Sequence, residues 1–428
     1  MLDAIRPVAV IGSARIPFAR ANGAYVDASN QDMLTAALTA LVDKFALRGE
    51  TLGEVAAGAV IKHSRDWNLT REAAQGAGLD PHTPAYDVQR ACGTSLTTTI
   101  QIAQRIARGE IDAGIAGGVD TVSDAPIVYG GKLRRIVLDS ARAKSFGGRL
   151  APWLRLKAHD LKPAAPAVTE PRTGLSMGEH CESMAKEWRI AREDQDALAH
   201  ASHMKAAAAW REGFYSDLVT PFAGLASDNN VRADTSREKL AALKPVYDRS
   251  GSGTLTAGNS TPLTDGAACV LLASEEWAKS RNLPVQAYVT HSAVAAVDYA
   301  GIKGPREGLL MAPTYAVPAM LDRARITLQD FDVYEIHEAF AAQVLCTLKA
   351  WESEDYCRGR LTRPPLGSID RTKLNPRGGS VALGHPFAAT GARIVGTLAK
   401  ELHSRGSGRG LISICTAGGM GVTAILER

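Results

Sequence analysis

The sequence predicts an α/β fold made of two related halves, and three observations predict it. Runs of β-branched residues bounded by glycine and proline alternate with stretches of helical period, the pattern of strands joined by covering helices. At 428 residues, 45% of them apolar, the chain exceeds what one compact core usually holds, so two or three packed units are expected. Two distant segments also share one layout: a helix, a glycine, a short strand and a glycine pair.

The elements follow in order. Pro7 to Ile11 reads as a first strand, and Ala85 to Val88 as a strand that turns sharply into a helix. That helix, Thr94 to Arg108, carries Leu96, Ile100, Ala103 and Ala107 on one face, with Gly109 placed to end it. A strand from Ala113 to Ala116 then runs into Gly117-Gly118. The second segment repeats the plan: a helix from Thr390 to Ser404 with Ala392, Val395, Ala399 and Leu402 inward, then Gly406, a strand from Leu411 to Ile414, and Ala417-Gly418-Gly419. The matching glycine pairs favour duplication over a chance likeness of two βαβ stretches.

Between the halves, Ser123 to about Gly253 lacks strand alternation and reads as an insertion. Gly178 to Trp210 is helical in pattern, and Glu193, Asp194 and Asp196 suit the N-terminal dipole of a helix starting near Ala191. Gly131 to Pro163 gathers Lys132, Arg134, Arg135, Arg142, Lys144, Arg149, Arg155, Lys157 and Lys162 against only Asp139 and Asp160. Leu133, Ile136, Val137, Leu150, Trp153, Leu154 and Leu156 are interleaved with them, which suits a peripheral membrane contact through 131–163 or a partner groove. A solvated surface, or an electrostatic guide for phosphates, fits the same composition.

Composition excludes several classes. No run approaches the roughly 20 apolar residues that a spanning helix needs. Met1 to Arg6 leads straight into the first strand without the basic and apolar regions of an export signal. None of the six cysteines forms a C-x-x-C pair, so neither a metal site nor a disulfide framework is expected, and a reducing, cytoplasmic setting fits. A net charge of +4 is too mild to argue for nucleic acid.

Four positions stand out chemically. Cys92 sits where a strand turns into a helix, and backbone N–H dipoles there favour a thiolate; a small buried side chain is the plain alternative. Cys415 ends a strand and precedes a glycine-rich turn whose amides can approach a ligand closely; a phosphate cradle is the poorer reading, because a P-loop's lysine and spacing are missing, and a packing turn is the plain one. His385 lies in Gly384-His385-Pro386, held by proline and crowded by glycine, a candidate base where a solvated loop histidine is the default. His337, in Glu335-Ile336-His337-Glu338-Ala339-Phe340, follows a strand and either joins the site or caps a helix.

Cys92, His337-Glu338-Ala339-Phe340, Gly384-His385-Pro386 and Cys415-Thr416-Ala417-Gly418-Gly419 resemble, in order and spacing, the active-site blocks of the thiolase family. The likeness extends over essentially the whole chain through Arg15-Ile16-Pro17-Phe18, Ala116-Gly117-Gly118, Ser176-Met177-Gly178, Arg192 to Asp196, and Thr256-Ala257-Gly258-Asn259 leading to Asp265-Gly266-Ala267-Ala268. His337, Ser260 to Asp265 and Gly384 to Gly391 are most similar to the β-subunit thiolases of trifunctional-type β-oxidation complexes.

The resemblance implies a thiolase fold: two duplicated βαβαββ-like halves in a five-layer arrangement with an inserted loop domain. The N-terminal half takes residues 1–122 and 254–283, the insertion 123–253, covering the CoA and acyl site, and the C-terminal half 284–428. It implies cleavage of 3-ketoacyl-CoA by coenzyme A, a substrate rather than a cofactor, with no metal. Cys92 matches the nucleophile, His385 its base, Cys415 the acid and base at the enolate carbon, and His337 with His385 the hole for the thioester oxygen. Backbone N–H groups of Cys92 and Ala417 match the second oxyanion hole. Thr261, Met177, Gly384 and Phe340 match substrate-side positions more weakly.

His337 departs from the commoner asparagine, Ala417 from glycine, and Thr261, followed by Pro262, from a serine associated with CoA. A homodimer or homotetramer is implied, and a hydratase/dehydrogenase partner subunit is admitted. Short-chain acetoacetyl-CoA and sterol side-chain thiolases remain alternatives, as the motifs set chemistry rather than chain length. A ketoacyl-ACP synthase would show a second histidine in place of Cys415. A non-catalytic acyl-CoA-binding subunit would not need Cys92, His385 and Cys415 together.

Overall fold

The computed structural model describes residues 5–164 and 169–428. Nine strands form one path: Val8–Arg15 (β1), Glu54–Ala57 (β2), Ala85–Asp87 (β3), Ala113–Asp120 (β4), Thr264–Ser274 (β5), Ala287–Ala296 (β6), Val333–Ile336 (β7), Arg409–Thr416 (β8) and Met420–Glu427 (β9). They lie in the order β7-β8-β9-β6-β1-β5-β4-β2-β3. The two ends of this path repeat each other. β2 is parallel to β3 and β4, β4 is antiparallel to β5, and β5 to β1. Likewise β7 is parallel to β8, β8 antiparallel to β9, and β9 to β6. The halves join where Ala9 and Val10 of β1 meet Tyr288 and Ala287 of β6.

Helices cover both faces because the strands are apolar on both sides. Asn30–Lys44 (α1) and Leu69–Gly76 (α2) pack Met33, Leu34, Leu38 and Ala73 against Ile11, Val55 and Ile115. Thr94–Ala107 (α3) and Thr390–Arg405 (α8) lie in the middle, where Leu96, Ile102, Val395 and Leu398 meet Val10, Val270, Ile412 and Val422. Pro313–Ala324 (α6) and Ala341–Glu352 (α7) close the far side with Val317, Met320, Val344 and Leu348 against Ile336, Leu411 and Ile425. Three cores between helix and strand layers give the five-layer sandwich. A central helix must be apolar nearly all round, and α8 is buried along almost its whole length.

The central helices set the site. Gly391 leaves room for the start of α8 to approach α3; a side chain there would collide with the backbone nitrogen of Leu96. The Ala392 N–H donates to Ser95 Oγ at 2.8 Å, fastening the two N-terminal ends together. Residues just ahead of both helices, Cys92 and His385, are thereby brought to one place.

Several expectations change. Gly117 and Gly118 do not end a strand; β4 runs on to Asp120, paired with Gly266 of β5. These glycines admit close neighbours instead, as a Cβ on Gly117 would lie 2.8 Å from Cys269 Sγ. Gly418 and Gly419 do make a turn, with φ of +76° and +69°, so the two glycine pairs are not equivalent. The stretch from Gly178 to Trp210 is two helices, Met177–Glu187 (α4) and Arg192–Arg211 (α5), parted at Arg189 with φ +49°.

Residues 125–169 form a compact unit of their own, whereas 170–253 belong with the main body. Within that unit a helix runs over Gly131–Arg142, followed by Phe146–Leu150 and two 3₁₀ turns. Leu133 and Ile136 are buried, while Val137, Leu150, Trp153 and Leu154 are exposed. No described helix is long and apolar enough to cross a membrane.

Candidate active site

Cys92 owes its position to a strained turn. After β3 the chain passes through Ala91, whose φ of +43° is a left-handed conformation uncommon outside glycine. Thr94 braces the turn: its hydroxyl donates to Ala91 O at 2.7 Å and accepts from the Arg90 N–H at 2.9 Å. Of the six cysteines only Cys92 keeps solvent access. The expected lowering of its pKa by the helix start is corrected, since the thiol is pushed up to about 12. Burial is the largest cause; an N–H from Ala417 offsets it in part, and the carboxylate of Asp120 adds to it. Desolvation outweighs the dipole, so the free site holds a thiol.

His385 follows Gly384, whose φ is +101° and where a Cβ would lie 2.7 Å from Asn230 Nδ2, so only glycine fits the bend. Its Nδ1 lies 2.5 Å from Thr390 Oγ1 at the head of α8, and its Nε2 is buried without a partner. Burial holds its pKa down to about 3, and Arg393 adds to that, so the ring is neutral. His337 directly follows β7, with Nδ1 2.9 Å from Ser380 Oγ and Nε2 again unpartnered. Burial first, then His385 and Arg393, hold it well below the ordinary histidine range. The two rings are 4.2 Å apart between centroids. A ring nitrogen of each and the Cys92 sulfur lie within 4.8 Å of one another. Such a set could also ligate a divalent ion.

Cys415 is buried opposite Gly421 in the β8–β9 ladder, and burial first, then the charge of Cys92, keep its thiol well above the ordinary range. The turn after it is held by Glu170, whose Oε1 accepts the Gly418 N–H at 2.7 Å and whose Oε2 accepts the Tyr299 hydroxyl at 3.1 Å. Ala417 does not adopt a left-handed φ, which explains why alanine serves where glycine was expected. A protonatable base, two thiols with different access, and backbone and ring N–H groups aimed at one spot suffice for covalent acyl transfer with carbanion chemistry.

The weaker site residues flank this cluster. Met177 and Phe340 pack in the same apolar cluster as Cys415. Thr261 lines a cavity of about 490 Å³ with Arg20, Arg232, Lys239 and Tyr247. Its hydroxyl donates to Ser380 O at 2.8 Å, so toward a ligand it has only acceptor capacity left. A larger groove of about 760 Å³ runs along Arg6, Gln104 and His291, away from the chemistry.

Sequence reasoning missed the supports. Glu338 accepts from Asn375 Nδ2 (2.6 Å), Ser202 Oγ (2.7 Å) and the Val381 N–H (3.2 Å), tying the His337 loop to the segment before His385. Asp120 accepts from Val60, Ile61 and Ala388 N–H groups at 2.7–2.9 Å, and burial pushes its carboxyl up to about 7. Ser380 and Arg393 were equally silent. Only Thr390 had a signal, as the first residue of a helix shortly after a singled-out histidine.

Two family models match the chain: Thiolase, N-terminal domain, over residues 8–276, and Thiolase, C-terminal domain, over residues 287–428. The 3-ketoacyl-CoA thiolase of Photorhabdus laumondii is 43% identical over 427 residues, covering 98% of this chain and 96% of that protein. Human mitochondrial 3-ketoacyl-CoA thiolase superposes with a TM-score of 0.81 at 27% identity, covering 99% of each chain. The same human enzyme in complex with CoA gives 0.80 at 27% identity, covering 99% and 98%.

Proposed function

The chain belongs to the thiolase family of acyltransferases, and on that premise we propose that it is a 3-ketoacyl-CoA thiolase of fatty-acid β-oxidation. The observation that carries the reading is the meeting of Cys92, His385 and His337 within 4.8 Å beside Cys415. His385 takes the Cys92 proton at Nε2, and the sulfur attacks the 3-keto carbon. The oxyanion that forms lies against the Cys92 and Ala417 N–H groups. The bond between C2 and C3 then breaks, leaving an acyl thioester on Cys92 and the enolate of acetyl-CoA. Cys415 gives its proton to the enolate carbon while His385 and His337 hold the enolate oxygen. Incoming CoA returns a proton to Cys415 and attacks the acyl-enzyme, and His385 reprotonates the departing Cys92. Every proton is accounted for by side chains, with CoA as substrate and no metal or prosthetic group in any step.

The cavity bearing Arg20, Arg232, Lys239 and Thr261 is the fitting place for a CoA ester, because three cations suit its phosphates. We also assign to the protein a homodimeric or homotetrameric state, a cytoplasmic location, room for a hydratase/dehydrogenase partner subunit, and a surface for anionic membranes on 131–163. Ten of the eighteen large apolar side chains exposed among the described residues lie between Ile127 and Leu161, and they share that stretch with its lysines and arginines. Concentration on this scale exceeds the scatter of single apolar residues on an ordinary surface.

The deciding experiment is steady-state thiolysis over a series of 3-ketoacyl-CoA chain lengths, with the trapped acyl group mapped by mass. Acylation of Cys92 and turnover of medium and long chains are expected. Turnover confined to acetoacetyl-CoA would move the assignment to the short-chain enzyme, and an acyl group on another residue would remove the mechanism.

A further inference from the structure

We infer that Ser380 and Arg393 are positioning residues that fix His337 as a hydrogen-bond donor toward the reacting atoms, a refinement that rests on the thiolase reading for its catalytic meaning. Arg393, on α8, is buried, and its Nη2 lies 2.7 Å from Ser380 Oγ. A guanidinium only donates, so the serine oxygen is the acceptor of that bond. Its own single hydrogen needs a partner in a dry interior. Among the described residues the one acceptor within reach is His337 Nδ1, 2.9 Å away. A neutral imidazole that accepts at Nδ1 carries its hydrogen on Nε2, the buried atom left without any protein partner.

The neighbouring histidine is wired the other way. Thr390 Oγ1 has a carbonyl, Pro386 O at 3.4 Å, to which its hydroxyl can donate. It is therefore free to accept the Nδ1–H of His385 at 2.5 Å, and the lone pair of His385 Nε2 is left for the Cys92 proton. Two rings 4.2 Å apart thus hold opposite tautomers, one giving a hydrogen bond and one taking a proton. The difference lies in what stands behind each ring: a cation and a hydroxyl behind His337, a carbonyl and a hydroxyl behind His385.

Arg393 also explains a loose feature of the interior. Its Nη1 stands 3.7 Å from Glu335 Oε2, too far for a hydrogen bond, and both Nη1 and Nε are buried without partners. A cation held this weakly for its own stability is well placed to act on something else. Arg393, Ser380 and His337 form a chain of donors, each polarising the next, that ends at the oxygen where enolate charge develops.

The test uses full-length protein labelled with ¹⁵N-histidine, in which two-bond nitrogen–proton correlations separate the tautomers and the His337→Asn spectrum assigns the ring. His337 is expected to carry its hydrogen on Nε2, and Ser380→Ala to abolish that preference while leaving the His385 pattern unchanged. In kinetics, Ser380→Ala and Arg393→Gln should lower kcat for thiolysis about tenfold or more, with a smaller effect on acyl transfer from a saturated acyl-CoA to Cys92, which forms no enolate. An Nδ1–H tautomer in the unmodified protein overturns the inference, as does equal loss of both reactions in Ser380→Ala. A wild-type protein that shows the Nε2–H ring yet cleaves no 3-ketoacyl-CoA would overturn the functional reading and leave the tautomer assignment standing.

Discussion

In the N-terminal half β2 pairs with β3 and β4, and β4 leads through β5 to β1; in the C-terminal half β7, β8, β9 and β6 repeat the ladder β2-β4-β5-β1, with no strand in the place of β3. Each half also sends one helix to the centre, α3 or α8. At the head of α3 stands Cys92, two residues before the helix and presented by the left-handed turn at Ala91; at the head of α8 stands His385, five residues before it and presented by Gly384. The C-terminal half adds His337 directly after β7 and Cys415 at the end of β8, while the corresponding strand of the other half, β4, carries Asp120 as an anchor for the Ala388 N–H. Duplication supplied the frame. Division of labour came from different residues at its loop ends, with the nucleophile on one side and most of the proton-handling groups on the other.

If labour is divided in this way, the largest effect comes from the N-terminal side. Cys92→Ala should lower thiolysis by at least about 10⁴-fold and leave no acylated protein, measured by steady-state rates and intact mass. Cys415→Ala, from the other half, should slow 3-ketoacyl-CoA cleavage by about 10² to 10⁴-fold while acyl exchange onto Cys92 from a saturated acyl-CoA stays within about tenfold of wild type. Equal losses in both reactions would erase the distinction between the halves.

His337→Asn sharpens the comparison within the C-terminal half. An amide still offers a donor, so thiolysis should persist at a level about 10 to 100-fold down, and complete inactivity in folded protein would assign the ring another task.

The electrostatics of the junction make a pH prediction. With the Cys92 thiol pushed up to about 12, the thiolate fraction at lower pH rises tenfold per unit, and His385, neutral above about 3, supplies no break between. Iodoacetamide should therefore alkylate Cys92 about tenfold faster for each unit from pH 6 to 9, without a plateau. A rate that levels off near neutrality would mean a preformed thiolate–imidazolium pair.

The smallest effect on chemistry is expected away from both halves. Reversing charge at Lys132, Arg134, Arg135, Arg155 and Lys157 should abolish binding to anionic vesicles, at about 1 kcal/mol for each residue, with the CoA Michaelis constant unchanged. Vesicle binding should also weaken with salt. Retained binding with a raised Michaelis constant would make the stretch a guide for CoA phosphates.

Much of this was legible along the chain. The helices at Thr94 and Thr390, the two-half plan, and the blocks around Cys92, His337, His385 and Cys415 are local patterns of periodicity and motif, which a linear sequence carries in full. The glycine pairs illustrate where local reading fails: Gly117-Gly118 lies inside β4 and Gly418-Gly419 turns beyond β8, a difference set by strand neighbours far away in sequence. The ionisation of Cys92 fails in the same way. The helix start is local and argues for a thiolate, but desolvation comes from everything packed around the sulfur and is larger. Composition and motif determined by themselves the fold class, the family and the identity of the groups that can react. Only tertiary structure decided which hydroxyl, carbonyl or cation stands behind each of those groups, because partners such as Ser380 and Arg393 for His337, or Glu170 for Gly418, lie 43 to 248 residues away and meet only when the chain between them has folded.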